Sequence, residues 1–222
     1  MSDKTFNIRR FALEFPAASE RWYVLTKLAT DPLYEAVFKE LETTSQPLLD
    51  IGCGMGVLAF YLRARGWTPR ISGFDYDPRK IDSARQVAVR LGTDTDFTSG
   101  DARTGLPDHA GSVTILDILQ YFTPDEQRGL LQAAARRVGP GGRLILRSGL
   151  ASGNWRGRLT RAGDRVARIT RWMRDHALHY PTADFLQSCL QESGLKGSLR
   201  PLWGRTPFNN WLGVWQRDAA CG

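Results

Sequence analysis

The chain has 222 residues, 42% apolar and 24% charged, which is the usage of one well-filled globular domain and hardly enough chain for two. No apolar run approaches the roughly 20 residues that a membrane span needs. Three cysteines (Cys53, Cys189, Cys221) cannot all pair and lack metal-ligand spacing, and the three histidines form no two-histidine metal motif. The net charge of +7 permits an anionic partner and equally fits a solvated basic surface.

The N-terminus is polar, with no apolar core ahead of a small-residue cleavage site, and with the cysteine usage this predicts a cytoplasmic protein. Residues 20–29 and 33–41 are rich in helix formers, and Asp31-Pro32 supplies an N-cap followed by proline at the first helical position. Leu33, Val37, Phe38 and Leu41 recur at helical spacing, so that face packs on something. Trp22, Tyr23 and Lys27 lie about one turn apart. They either cover a sheet or form a lid over a crevice, with Tyr23 or Lys27 touching a ligand.

The rest of the chain is organised around Leu48 to Gly56. Leu48, Leu49 and Ile51 around Asp50 read as a short buried strand, ended abruptly by Gly52, Gly54 and Gly56. Val57 to Arg65 is helical, with Gly66 where a helix end wants positive φ. Strand, glycine turn and helix N-terminus make a nucleotide-type crevice. Gly54, Gly56 and Ala59 also satisfy the dinucleotide pattern, so glycines alone leave NAD open. A carboxylate at Asp50 inside an apolar strand is costly unless it serves a partner.

Arg70 to Asp75 is the second strand and ends in an acid about 20 residues past the turn, where a carboxylate reaches a ribose diol. Asp77-Pro78 opens a helix with Ile81, Ala84, Ala88 and Leu91 inward and Gly92 at its end. Asp96 to Ser99 is a weak third strand leading to Gly100-Asp101-Ala102, and Ser112 to Leu119 is the fourth, with Asp117 embedded. Thr123-Pro124-Asp125-Glu126 is a capping box opening a helix through Val138, and Arg143 to Arg147 is the fifth strand. Alternation at this spacing means right-handed crossovers and a parallel sheet.

Residues 47–150 resemble the class I S-adenosylmethionine-dependent methyltransferases. The resemblance rests on DIGCGMG (50–56), GFDYD (73–77), GDA (100–102), TILDILQYF (114–122) and PGGRLIL (140–146), in order and at the family's spacing. It implies an α/β, Rossmann-like seven-stranded sheet, mostly parallel with an antiparallel last strand and helices on both faces. Residues 198–203 and 211–217 would supply the closing strands. It implies that Gly52, Gly54 and Gly56 approach the methionine part of S-adenosylmethionine and that Asp50 helps hold that end. Asp75, with Tyr76 beside it, would take the ribose; Asp101 and the Ala102 amide, the adenine edge; Asp117 and Ile118 would line the cofactor beside the acceptor. A single domain is expected, with a helical lid (1–46), a cofactor core (47–148), a basic helical cap (149–181) and the last helix and closing strands (182–222). Four acids around one crevice suit a ligand with an ammonium, a sulfonium, a diol and an amino-purine, whereas a phosphate would want lysine or arginine at the turn.

In the cap, Arg156, Arg158, Arg161, Arg165, Arg168, Arg171 and Arg174 flank a stripe of Leu159, Ala162, Val166, Ile169 and Met173. The basic flank reads as a solvated face, as a surface for an acidic substrate or carrier protein, or as a contact for nucleic acid or anionic membrane. Thr182 then starts a helix with Phe185, Leu186, Cys189 and Leu190 inward. The segment after the fourth strand lacks the proline motif of base N-methylating relatives, which argues against a nucleic-acid acceptor. Gln120, Tyr121 and His179 are the expected acceptor-side groups, with His176 the other histidine of the cap. Residues 202–211 and 21–34 also resemble, more faintly, methyltransferases near bacterial aryl-polyene-type pigment pathways. That favours a small aromatic or polyketide-like acceptor, free or carrier-bound, methylated at oxygen or carbon. An NAD oxidoreductase leaves Asp101 unexplained, and no catalytic Tyr-x-x-x-Lys run appears. A non-catalytic cofactor-binding module is the other alternative.

Overall fold

The computed structural model describes residues 6–151, 178–204 and 209–217. Three helices precede the sheet: α1 (Ile8–Ala12), α2 (Ala18–Thr30) and α3 (Leu33–Leu41). The first was not foreseen in the sequence, being only 5 residues long and capped by the Asn7 side chain on Arg10 N–H. Aromatic edge contacts seat it: Phe11 on Phe15, Phe15 on Phe60 and Phe60 on Phe97, with ring centroids 5.7, 6.2 and 5.6 Å apart. α3 begins one residue later than the Asp-Pro pattern implies, with Pro32 at the N-cap position, and Asp31 Oδ1 accepts the Leu33 N–H at 3.0 Å.

The alternation then runs β1 (Leu48–Ile51), α4 (Val57–Ala64), β2 (Ile71–Asp75), α5 (Pro78–Leu91), β3 (Thr95–Ser99), β4 (Ser112–Leu116), α6 (Pro124–Arg137) and β5 (Arg143–Gly149). It closes with α7 (Ala183–Glu192), β6 (Lys196–Pro201) and β7 (Asn210–Gln216). The sheet order is β3-β2-β1-β4-β5-β7-β6, and β7 is antiparallel to both neighbours. This is the seven-stranded α/β sheet that the motifs imply. All four residues of β1 are buried, as a strand covered by helices on both faces requires. The capping box holds, with Thr123 Oγ1 accepting from Glu126 N–H and Glu126 Oε2 accepting from Thr123 N–H at 2.7 Å.

One strand is shorter than its sequence implies. The fourth was expected to reach Leu119 but stops at Leu116. Asp117 takes φ 60°, the sole positive φ of a non-glycine among the described residues, and Leu119–Tyr121 curl into a 3-10 turn. A β-prone run is thus broken where the crevice needs a side chain turned aside. The arginine-flanked stripe of 156–174 and His176 lie outside the described residues. Among those described, no helix is long and apolar enough to cross a membrane.

Candidate functional site

The strand order reverses between β1 and β4, and a ligand crevice opens at the carboxyl ends of the strands there. A cavity of about 1320 Å³ occupies that point. It is lined by the turn after β1, by Asp75 and Tyr76 after β2, by Asp101 to Arg103 after β3 and by Asp117, Ile118 and Tyr121 after β4. Tyr23 and Lys27 of α2 and Tyr34 of α3 close one side, and His179 reaches it from the far end of the chain.

The glycine turn divides its labour. Gly52 and Gly56 both have φ 78°, and a Cβ on either would collide with Ile118 or with Phe97 and Phe60. These two glycines permit close packing, and Gly56 is not on the cavity wall. Gly54 differs: at φ 55° its missing Cβ faces only the Lys80 side chain, 4.0 Å away. The backbone there is bare to a ligand.

The acids are held in distinct ways. Asp75 is buried, with Oδ2 accepting from Gly54 N–H and Oδ1 from Asp77 N–H, both at 2.9 Å. Its carboxylate is therefore fixed before any diol arrives, and each oxygen keeps a second lone pair. Asp50, 3% exposed, accepts from the Thr114 hydroxyl at 2.6 Å. Burial and the neighbouring Asp75 push its pKa up to about 7, against the pull of that hydrogen bond. Asp101 Oδ1 accepts from Arg103 N–H at 2.9 Å and from its guanidinium at 3.3 Å. Arg103 also reaches Glu126 and the Tyr121 carbonyl, and lies over Phe122. Ala102 lines the wall beside it.

Asp117 belongs to a buried cluster of four charges. Its Oδ2 meets Lys27 Nζ at 3.2 Å and the Arg147 guanidinium. Both cations also reach Asp31 Oδ2, Lys27 at 2.7 Å and Arg147 at 2.9 Å. Burial works to lower the Lys27 pKa, yet Asp117, Tyr23 and Asp31 outweigh it and the pKa is raised. Lys27 thus stays an ammonium and is no base. Tyr23 and Lys27 do stand at Tyr-x-x-x-Lys spacing, which the sequence reading passed over, but this lysine is committed to two carboxylates.

Gln120 does not face the cavity. It is buried, and its amide donates to the Asp117 carbonyl at 2.9 Å. It sets the backbone that aims Asp117, while Tyr121 and His179 do line the wall. The His179 backbone is clamped, N–H to the Gln120 carbonyl at 2.9 Å and carbonyl to the Gln127 amide at 2.6 Å. Sequence reasoning missed Thr114, Asp31, Arg147 and Arg103. The signal for the first was present: Thr114 stands directly opposite Asp50 in the β1–β4 register.

Residues 48–142 match the family model described as a methyltransferase domain. Among curated proteins, the ribosomal protein L11 methyltransferase of Burkholderia vietnamiensis is 36% identical over 114 residues, 50% of this chain and 35% of that protein. The trans-aconitate 2-methyltransferase of Streptomyces coelicolor is 34% identical over 101 residues, 45% and 33% of the two chains. The chain thus spans about a third of the length of these relatives. Among solved structures, magnesium protoporphyrin IX methyltransferase from Synechocystis, crystallised with bound S-adenosylhomocysteine, superposes with TM-score 0.64 at 16% identity over 83% of this chain and 82% of that one. The pyocyanin biosynthetic protein PhzM superposes with TM-score 0.67 at 17% identity over 96% and 62%. The residues present fit the family's cofactor: a bare glycine backbone, a fixed diol acceptor and carboxylates in place of a phosphate cradle. Residues 48–142 thus match a methyltransferase domain, and the strand order is the fold of these solved methyltransferases.

Proposed function

We propose that the protein transfers a methyl group from S-adenosylmethionine to a small aromatic or polyketide-like acceptor, at oxygen or carbon. The observation that supports this is the cavity lining, which adds Trp22, Tyr23, Tyr121, Phe122 and His179 to the four acids. Aromatic rings with polar tips suit a flat, partly polar ligand. The cavity of about 1320 Å³ exceeds the common range of roughly 300–1,000 Å³ for one small-molecule site, so it has room for cofactor and acceptor together.

The cofactor supplies an electrophilic methyl carbon on a sulfonium. The chain's own contribution is orientation: methyl transfer is an in-line displacement, and holding both reactants aligned supplies much of the rate. Asp117, pinned by Lys27 and Arg147 and aimed by Gln120, fixes the wall between the two ligands. His179 is the imidazole available to take the proton of an acceptor hydroxyl. In this reading residues 1–46 form the lid and 182–222 complete the sheet. An acidic carrier as partner rests on the arginine-flanked segment, which lies outside the described residues.

The test is a thermal shift followed by turnover. S-adenosylhomocysteine at 100-fold excess over its Kd stabilises the native state by about 2.7 kcal/mol, and NADH leaves the melting temperature unchanged. A shift with NADH and none with the nucleoside refutes the cofactor. Release of S-adenosylhomocysteine on a panel of hydroxylated aromatics then identifies the acceptor. Cofactor binding without turnover on any acceptor class leaves the non-catalytic module standing.

A further inference from the structure

Asp50 is a buried carboxyl on the cavity wall that no ion pair explains. Thr114 is its hydrogen-bond donor, at 2.6 Å from β4, and among the described residues no lysine or arginine is in ion-pair contact with it. The titratable groups facing it are Asp75 from β2, Cys53 from the glycine turn and Tyr34 from α3. Burial, first of all, pushes the Cys53 thiol and the Tyr34 phenol well above their ordinary values, so both stay neutral. Asp75 is the charged neighbour, and it has the same sign. The Lys27 ammonium at the mouth is taken by Asp31 and Asp117. This pocket therefore holds a carboxyl and lacks the counter-cation that would keep it ionised.

Resting on the reading of the cavity as a cofactor site, we propose that Asp50 distinguishes the two charge states of the cofactor. It is ionised when the sulfonium is bound and protonated when the neutral thioether product remains. S-adenosylmethionine carries one more positive charge than S-adenosylhomocysteine and is otherwise nearly the same shape, so contacts alone separate them poorly. A group that gives up a proton to one ligand and keeps it for the other separates them by charge. Thr114 is the positioning residue: its hydroxyl stabilises the ionised carboxylate and sets where the discrimination begins.

The sign follows from linkage. Burial and Asp75 push the free carboxyl up to about 7, and a positive charge alongside typically lowers a carboxyl pKa by about 1–3. Affinity for the sulfonium then climbs as pH rises between the bound and free values and levels off above the latter. The thioether keeps the α-ammonium and lacks the sulfonium charge, so its affinity rises less.

Isothermal titration of both ligands, in two buffers of different ionisation enthalpy, reads affinity and proton release together. For the wild-type protein we expect S-adenosylmethionine affinity to drop roughly tenfold from about pH 8 to about pH 6, with about half a proton released near pH 7. The S-adenosylhomocysteine affinity drops by a clearly smaller factor, about threefold or less, by the same linkage. The ligand α-amino group titrates near about 7.7–8.0, so Asp50→Asn supplies the background from the ligand itself. In that variant both the pH dependence below about pH 7 and the proton release disappear. Thr114→Val moves the drop to higher pH and keeps the proton release. Equal pH dependence for the two ligands, or a proton release that survives Asp50→Asn, overturns the proposal. Failure of both ligands to bind overturns the cofactor reading instead.

Discussion

Arg147→Met tests the physical basis of the acceptor side. The Arg147 side chain is 3% exposed and bridges Asp31, itself 5% exposed, to Asp117. Removing one partner of a buried pair typically costs about 3–5 kcal/mol, because the other charge stays buried without compensation. Two features place this case at the low end. Asp117 is 34% exposed and can turn to water, and Lys27 still holds Asp31 at 2.7 Å. We expect a loss of about 3 kcal/mol, or roughly 6–12 °C in Tm for a chain of this size. Adding Asp31→Asn removes the stranded charge while keeping the acceptor for Leu33 N–H, so the double variant is more stable than the sum of the singles by about 1–2 kcal/mol. Acid supplies a second check. Burial raises the Asp31 pKa, but Arg147 and Lys27 outweigh it and hold it below the usual carboxylate value. Its contribution is present above the unfolded value of 3.8 and is lost as pH falls through the lower folded value. In Arg147→Met only Lys27 remains to oppose burial and Asp31 protonates earlier, so the gap between the proteins narrows below about pH 4. Denaturant titrations at neutral and acid pH measure both quantities. A loss under about 1 kcal/mol, or a gap that does not narrow in acid, refutes the buried-cluster argument.

Asp75→Ala should weaken S-adenosylhomocysteine binding roughly 10- to 1000-fold by calorimetry, since two charge-assisted bonds go and the turn loses the anchor on Gly54. Near-wild-type circular dichroism must accompany that loss, and an unchanged Kd would mean the acid does not meet the ligand. Gly54→Ala places a methyl in the open cradle at φ 55°; we expect a cost of about 1 kcal/mol in stability and a Kd raised at least about tenfold, whereas Gly66→Ala shows only the first. His179→Asn should slow turnover of a hydroxyl acceptor about 10²-fold or more while leaving cofactor Kd within about twofold. Equal turnover at pH 6 to 8 would remove His179 from the proton path.

The sheet was legible because its signals are local and redundant. Val113, Ile115 and the glycine turn declare a parallel core strand and its end, and Thr123 with Glu126 writes a helix start in four residues. The acids at the strand ends were legible for the same reason: a carboxylate in a run such as Leu-Leu-Asp-Ile stands out against its surroundings. Asp117 shows the limit. Its neighbours read as strand, and the left-handed backbone that turns it aside depends on Gln120 and Arg147, one nearby and one 30 residues on. Arg147 itself looked like an ordinary strand residue. Its burial follows from Asp31, over a hundred positions earlier, which the sequence had already assigned to capping a helix. Gln120 was taken for an acceptor group because polarity beside a crevice resembles function; its amide nitrogen donates inward to the Asp117 carbonyl instead.

The division between shared and private parts of the site follows the same line. Asp50, Asp75, Asp101 and the glycine turn fall within residues 48–142, the segment matched by the methyltransferase domain. Lys27, Asp31, Tyr34, Arg147 and His179 fall outside it, yet they make the wall across from the turn and the cluster that fixes Asp117. A cofactor common to many proteins calls for a common frame, and the frame is what short motifs record. An acceptor peculiar to one protein has to be met by whatever the flanking helices present. Among the described residues that includes the Lys27 ammonium, aromatic side chains and the His179 imidazole. The acid-rich sheet ends would repel an anion placed among them, and Lys27 is already shared by Asp31 and Asp117, so the wall favours an acceptor that arrives uncharged, with Asp117 the carboxylate shared between the two halves.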